Sequence, residues 1–129
     1  MAVENENRRQ VGRVFVRGES RQEAFEAMSD LLGHKWHLPV LYHLLLEDGM
    51  GFSGLRDRID GISAKMLSES LETLESRYGI VEREIVEDQP LRVEYSLTEV
   101  GRSLERPIVE LTVWARDNGD TLGWSEGDE

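Results

Sequence analysis

Residues 61–97 read GISAKMLSESLETLESRYGIVEREIVEDQPLRVEYSL, and the period of the apolar residues changes once, at Gly79. Before it, Leu67, Leu71, Leu74 and Tyr78 recur at intervals of four, three and four, which predicts a helix from Ser63 to about Tyr78 with one inward face. Ser63 stands where a side-chain oxygen caps the first turn, and Gly79 where the helix stops. After it the period is two. Ile80 to Glu87 and Arg92 to Leu97 are expected as strands, the second with Val93, Tyr95 and Leu97 alternating against Arg92, Glu94 and Ser96. Asp88-Gln89-Pro90-Leu91 joins them into a hairpin.

Upstream, Ser53 is expected to cap a short helix through Ile59 that buries Phe52, Leu55 and Ile59, and Asp60-Gly61 breaks it. Two helices joined by a short glycine-containing turn are a helix-turn-helix, and the hairpin behind them is a wing. A further helix is expected from about His37 to Leu46, with Leu38, Val40, Leu41, Leu44 and Leu45 inward and Pro39 confined to the first turn, where its missing N–H costs nothing. Ser20 with Glu23 has the spacing of a capping box, opening a helix with Phe25, Met28 and Leu32 on one stripe and Gly33 as its end. Downstream, Thr98 caps a last helix carrying Leu104, Ile108, Leu111 and Ala115, which Pro107 must kink or restart and Asn118-Gly119 stop. The expected class is mainly α with one small β-hairpin, a winged helix-turn-helix flanked by N- and C-terminal dimerisation helices. Residues 1–19, with Arg8, Arg9, Arg13 and Arg17, are expected as a flexible arm, 20–117 as the domain, and 118–129 as an acidic tail.

Composition narrows the function. The chain has no cysteine, which excludes disulfides, thiolate nucleophiles and zinc ribbons. The longest apolar run, Leu38 to Leu46, is too short for a membrane span. Met1 to Gln10 is polar and charged, so cytoplasmic residence is expected. The histidines His34, His37 and His43 fall in no metal-binding spacing, and no phosphate loop or nucleophile elbow occurs. No catalysis, metal or cofactor is expected. The formal charge of −11 opposes DNA binding in dilute salt. Lys35 and Lys65 are the only lysines among fifteen basic residues, and this glutamate-rich, lysine-poor balance suggests a salt-loving cytoplasm in which such repulsion is screened.

Four stretches carry a family resemblance. They are Gly33-His34-Lys35-Trp36, Phe52-Ser53-Gly54-Leu55-Arg56, Gly61 to Leu67 continued by Leu71 and Leu74-Glu75, and Arg92 to Leu104. In this order and spacing, across residues 21 to 117, the chain resembles the HxlR family of prokaryotic winged-helix regulators. The resemblance implies a homodimeric transcriptional regulator and puts a DNA-contacting arginine at Arg92. The chain departs from the family pattern at His34, Leu91 and Glu69, and it lacks the N-terminal cysteine that some members use to sense electrophiles.

The expected DNA contacts are Lys35, Arg56, Ser63, Ala64, Lys65, Ser68, Glu69, Gln89 and Arg92. The helix from Ser63 would enter the major groove, and the wing would lie on the backbone or in the minor groove. Phe25, Met28, Leu111 and Trp114 are expected at a two-fold interface, which calls for a pseudo-palindromic operator. The expected partners are double-stranded DNA and a second copy of the chain, with no membrane; the sequence names no small-molecule effector. A second reading from another class is a winged helix that binds a basic protein through its acidic face and leaves DNA alone.

Overall fold

The computed structural model describes residues 18–124, with side chains from Ser20 onward. Expectations for the arm, with Arg8, Arg9, Arg13 and Arg17, and for the end of the acidic tail lie outside the described residues. The chain divides into two compact units, residues 1–35 and 36–129.

In the first unit, α1 spans Gly18–Leu32. It begins two residues before the expected start. No breaker separates Gly18 from Ser20, so Ser20 is already inside the helix, and a helical residue is not an N-cap. The helix closes with Gly33 N–H donating to the Ser29 carbonyl at 2.9 Å. A Cβ at Gly33 would meet that oxygen at 2.4 Å, which explains the glycine.

The second unit is built around α2 (His37–Leu46), which packs against α3 (Phe52–Arg58), α4 (Ala64–Ser76), the hairpin and α6 (Glu105–Asp117). Val40, Leu41 and Leu44 are buried, with Pro39 in the first turn as expected. Leu38 and Leu45 are only half-buried. After α2 the chain makes a single β-bridge in which Met50 and Tyr95 exchange both backbone hydrogen bonds, at 2.9 and 2.7 Å. This anchor fixes where α3 can start. Gly51 is its N-cap residue, without a side-chain bond, and Phe52 is already helical. Ser53 therefore sits inside the helix, exposed, and does not cap it.

The α4 helix opens as expected, with the Ser63 hydroxyl accepting from Met66 N–H at 3.1 Å. Leu67, Ser70, Leu71 and Leu74 form its buried face. It ends at Ser76, short of Tyr78, because the chain unwinds through wider closing bonds from Tyr78 N–H to Thr73 O and from Ile80 N–H to Leu74 O. Gly79 then takes φ +63°, the left-handed region that glycine enters without strain. Tyr78 instead meets His37 edge-on, ring centroids 6.2 Å apart.

The wing consists of β1 (Val81–Asp88) and β2 (Leu91–Leu97), antiparallel, joined by Gln89-Pro90 with a cis peptide bond. A bulge between Ile85 and Glu87 adds one residue to β1. Only Val81 and Leu97, at the base, are buried, so the rest of the ribbon projects from the core. The Thr98 hydroxyl donates to Gly79 O at 2.7 Å and accepts from Gly101 N–H at 3.2 Å, tying the wing's exit to its entry. A four-residue helix, α5 (Glu99–Arg102), follows, and α6 restarts at Glu105. The break falls at Ser103, whose carbonyl Pro107 cannot serve. Beyond α6, Asn118 Nδ2 donates to Trp114 O at 2.8 Å, and Trp124 N–H folds back to Gly119 O at 2.6 Å.

One buried hydroxyl is unmatched. Ser70 is 1 % exposed, and its Oγ has no hydrogen-bond partner. An orphan of this kind costs about 1–3 kcal/mol. Ser70→Ala is expected to raise stability by about 1 kcal/mol in urea unfolding, whereas the neighbouring core truncation Leu71→Ala lowers it by about 2–5 kcal/mol. A loss of stability in Ser70→Ala would show that the hydroxyl is satisfied.

Candidate nucleic-acid interface

Burial of Leu67, Ser70, Leu71 and Leu74 turns the opposite side of α4 to solvent. Ala64, Lys65, Ser68, Glu69 and Glu72 are all exposed, as the period predicts. The outward ridge runs Lys65, Glu69, Glu72, Ser76, with Ala64 and Ser68 flanking it. Lys65 makes no ion pair with any described carboxylate. Ser63 is exposed, but its oxygen is already engaged in the cap.

Arg56 is in the last turn of α3, exposed and likewise outside every ion pair among the described residues. Its neighbour Arg58 is held by Glu47 at 2.7 Å. Lys35 is exposed at the end of the first unit. Gln89 is exposed at the wing turn. Arg92, also exposed, has its Nη1 3.5 Å from Glu87 Oε1. It borders a cleft of about 360 Å³ whose other wall is the start of α3, Phe52, Ser53 and Gly54. The fold therefore gathers the wing arginine and the start of α3, 38 to 40 residues earlier, at one place. The sequence offered no signal for this junction; of the two carboxylates it placed near Arg92, Glu94 and Glu87, the bulge sets Glu87 opposite the arginine.

The base of the wing has the opposite character. A cleft of about 520 Å³ is lined by Asp48, Glu82, Glu84, Glu94 and Glu99, with Arg102 tied to Asp48. Glu84 and Glu94 face each other directly across the ladder, an arrangement that costs stability. Among the described residues no cluster suits a metal ion, and no helix is long and apolar enough to cross a membrane.

The residues expected at a subunit contact are also exposed: Phe25 43 % and Met28 46 % on α1, Leu111 50 % and Trp114 55 % on α6. Leu111 and Trp114 border an apolar groove of about 560 Å³ with Leu38, Pro39, Tyr42 and His43 of α2. Val109 and Val113 are exposed on the other flank of α6. The sequence reading missed them because it followed the single stripe through Ile108 and Ala115.

Residues 31–122 match the model of the HxlR-like helix-turn-helix family. The chain belongs to that family. Among its relatives in Bacillus subtilis, the HTH-type transcriptional regulator YdzF is 39 % identical over 100 residues, covering 78 % of this chain and 91 % of YdzF. The transcriptional regulator YodB is 36 % identical over 100 residues, covering 75 % and 88 %. The solved structure of the redox regulator HypR in its reduced form superposes with a TM-score of 0.71 at 36 % identity, covering 78 % of this chain and 97 % of HypR. The fold is thus the winged helix-turn-helix of HxlR-type regulators, and the protein is a DNA-binding transcriptional regulator. α4 is the second helix of the helix-turn-helix, and the hairpin is its wing.

His43 adds a pH dependence. Burial, and then the Arg58 guanidinium, hold its imidazole below the ordinary value of 6.5. The folded chain therefore binds this proton less readily than the unfolded chain. The associated stability is complete above about pH 6.5 and declines as pH falls toward the folded value. Urea unfolding at pH 7.5 and 5.5 is expected to show a smaller loss for His43→Gln than for the wild type. Equal losses would mean that His43 is solvated as in the unfolded chain.

Proposed function

We propose that this regulator acts as a homodimer on a pseudo-palindromic operator. α4 enters the major groove, the wing lies along the backbone or minor groove, and no catalytic step takes part. The observation that carries this reading is the exposed ridge of α4, held outward by the buried leucines of the same helix. An α-helix fits a major groove about 12 Å wide. Lys65 and Ser68 reach base edges. Arg92, Arg56, Lys35 and Gln89 meet the backbone, and the helix end capped by Ser63 faces a phosphate.

Arg92 is the central wing contact. Its bond to Glu87 is long and exposed, worth no more than a surface ion pair, and a phosphate displaces it at little cost. The dimer is formed through the apolar residues of α1 and α6, Phe25, Met28, Leu111 and Trp114, with Val109 and Val113 beside them. Two-fold symmetry then sets the half-sites one helical turn, about 10 bp, or a multiple apart. The chain works where the DNA is, in the cytoplasm. HypR is described as a redox regulator. This chain has no cysteine, so thiol oxidation is not its signal.

The acidic cleft at the wing base supports a second reading, contact with a basic protein in place of DNA. One titration separates the two. In gel shifts on a duplex selected from a random library, Arg92→Ala is expected to weaken binding by about 1–3 kcal/mol, and Glu87→Gln to strengthen it by releasing the arginine. Unchanged affinity in Arg92→Ala removes its role, and no duplex binding at any salt concentration favours protein contact.

A further inference from the structure

The recognition ridge carries a carboxylate at its centre, and this feature defines a base preference. We propose that Glu69 reads cytosine, its carboxylate accepting from the exocyclic N4 amino group, while Lys65 one turn earlier reads guanine or the adjoining phosphate. This rests on α4 lying in the major groove.

Lys65 and Glu69 are four residues apart on an exposed helix face, the spacing at which opposite charges meet. No ion pair joins them. The order is lysine before glutamate, the less favourable direction for such a pair, so the two heads remain available. Elsewhere in the second unit Arg58, Arg92, Arg102, Arg106 and Arg116 are each tied to a carboxylate. Glu69 is thus a carboxylate that no described cation neutralises, on the face the helix turns outward. Ser68 beside it and Ala64 beside Lys65 are small and do not hold the helix away from a base edge.

A carboxylate pressed into a groove lined by phosphates is repelled unless a base donates to it. The major groove offers two such donors, cytosine N4 and adenine N6. Adenine presents the acceptor N7 beside its amino group, and that lone pair opposes a carboxylate; cytosine presents the donor alone. Glu69 therefore favours cytosine. Four residues of helix rise about 6 Å, close to two base-pair steps of about 3.4 Å, so the half-site holds the guanine and the cytosine roughly two steps apart. Where the base does not match, the same charge repels the duplex and lowers non-specific affinity.

The test is selection of bound duplexes from a random library by the full chain, with sequencing, for the wild type, Glu69→Ala and Glu69→Gln. The wild type is expected to enrich one cytosine in each half-site by about tenfold or more over other bases. Glu69→Ala loses the preference at that position alone. Glu69→Gln moves it to adenine, whose N6 and N7 a glutamine amide engages together. If both variants enrich the wild-type sequence, or merely bind all duplexes more tightly, the proposal is overturned while DNA recognition by α4 stands. A wild type that enriches no sequence overturns both.

Discussion

The structure depends on one packing constraint, the burial of Leu67, Ser70, Leu71 and Leu74 along a single side of α4. Leu67 and Leu74 are fully enclosed, and each buried leucine of this kind holds the helix by about 1.5–3 kcal/mol of removed apolar surface. Rotating α4 about its axis would expose all of them together. The rotation of α4 is thus fixed from inside, and its outer residues keep one orientation without contacts of their own. The cap at Ser63 and the left-handed Gly79 set where that rigid segment begins and ends.

The wing is anchored by a second, smaller set of bonds. A two-stranded ribbon is marginal alone. Here its base is held by Val81 and Leu97 in the core, by the Met50–Tyr95 bridge, and by Thr98, which binds Gly79 and Gly101 at once. Gly101 has no room for a side chain, because a Cβ would lie 2.3 Å from the Ile80 carbonyl. The tip is left in solvent with Glu87, Asp88, Gln89 and Arg92, while Glu82, Glu84 and Glu94 line the cleft at the base. The formal charge is −11, and Glu94 lines both the acidic cleft and the cleft that Arg92 borders. At high ionic strength, where the screening length falls to about 3 Å, such local contacts outweigh net charge.

Most of the fold was legible because local signals and burial agree. The Ser63 cap, the stop at Gly79, the Thr98 cap, the restart forced by Pro107 and the change of period between α4 and the wing each rest on a few adjacent residues. Errors arose where backbone bonding outside the motif decides. Ser53 has the chemistry of a cap, but the Met50–Tyr95 bridge starts α3 before it. Ser20 is overtaken by a helix already running from Gly18. Tyr78 continues the helical spacing, but backbone closure ends α4 first. In the candidate site the outward residues of α4 followed from the period. The junction of Arg92 with α3, the bulge that selects Glu87 over Glu94 as the arginine's partner and the exposed valines of α6 did not, since each depends on tertiary placement or on a second flank of a helix.

The central claim is that the outward side of α4 and the wing tip meet the duplex. Amide chemical shifts of the labelled protein, followed as a selected operator duplex is added, test it most directly. The largest changes should fall at residues 63–69 and 88–92. Changes confined to α1 and α6 around Phe25, Met28, Leu111 and Trp114, with residues 63–69 unmoved, would contradict it.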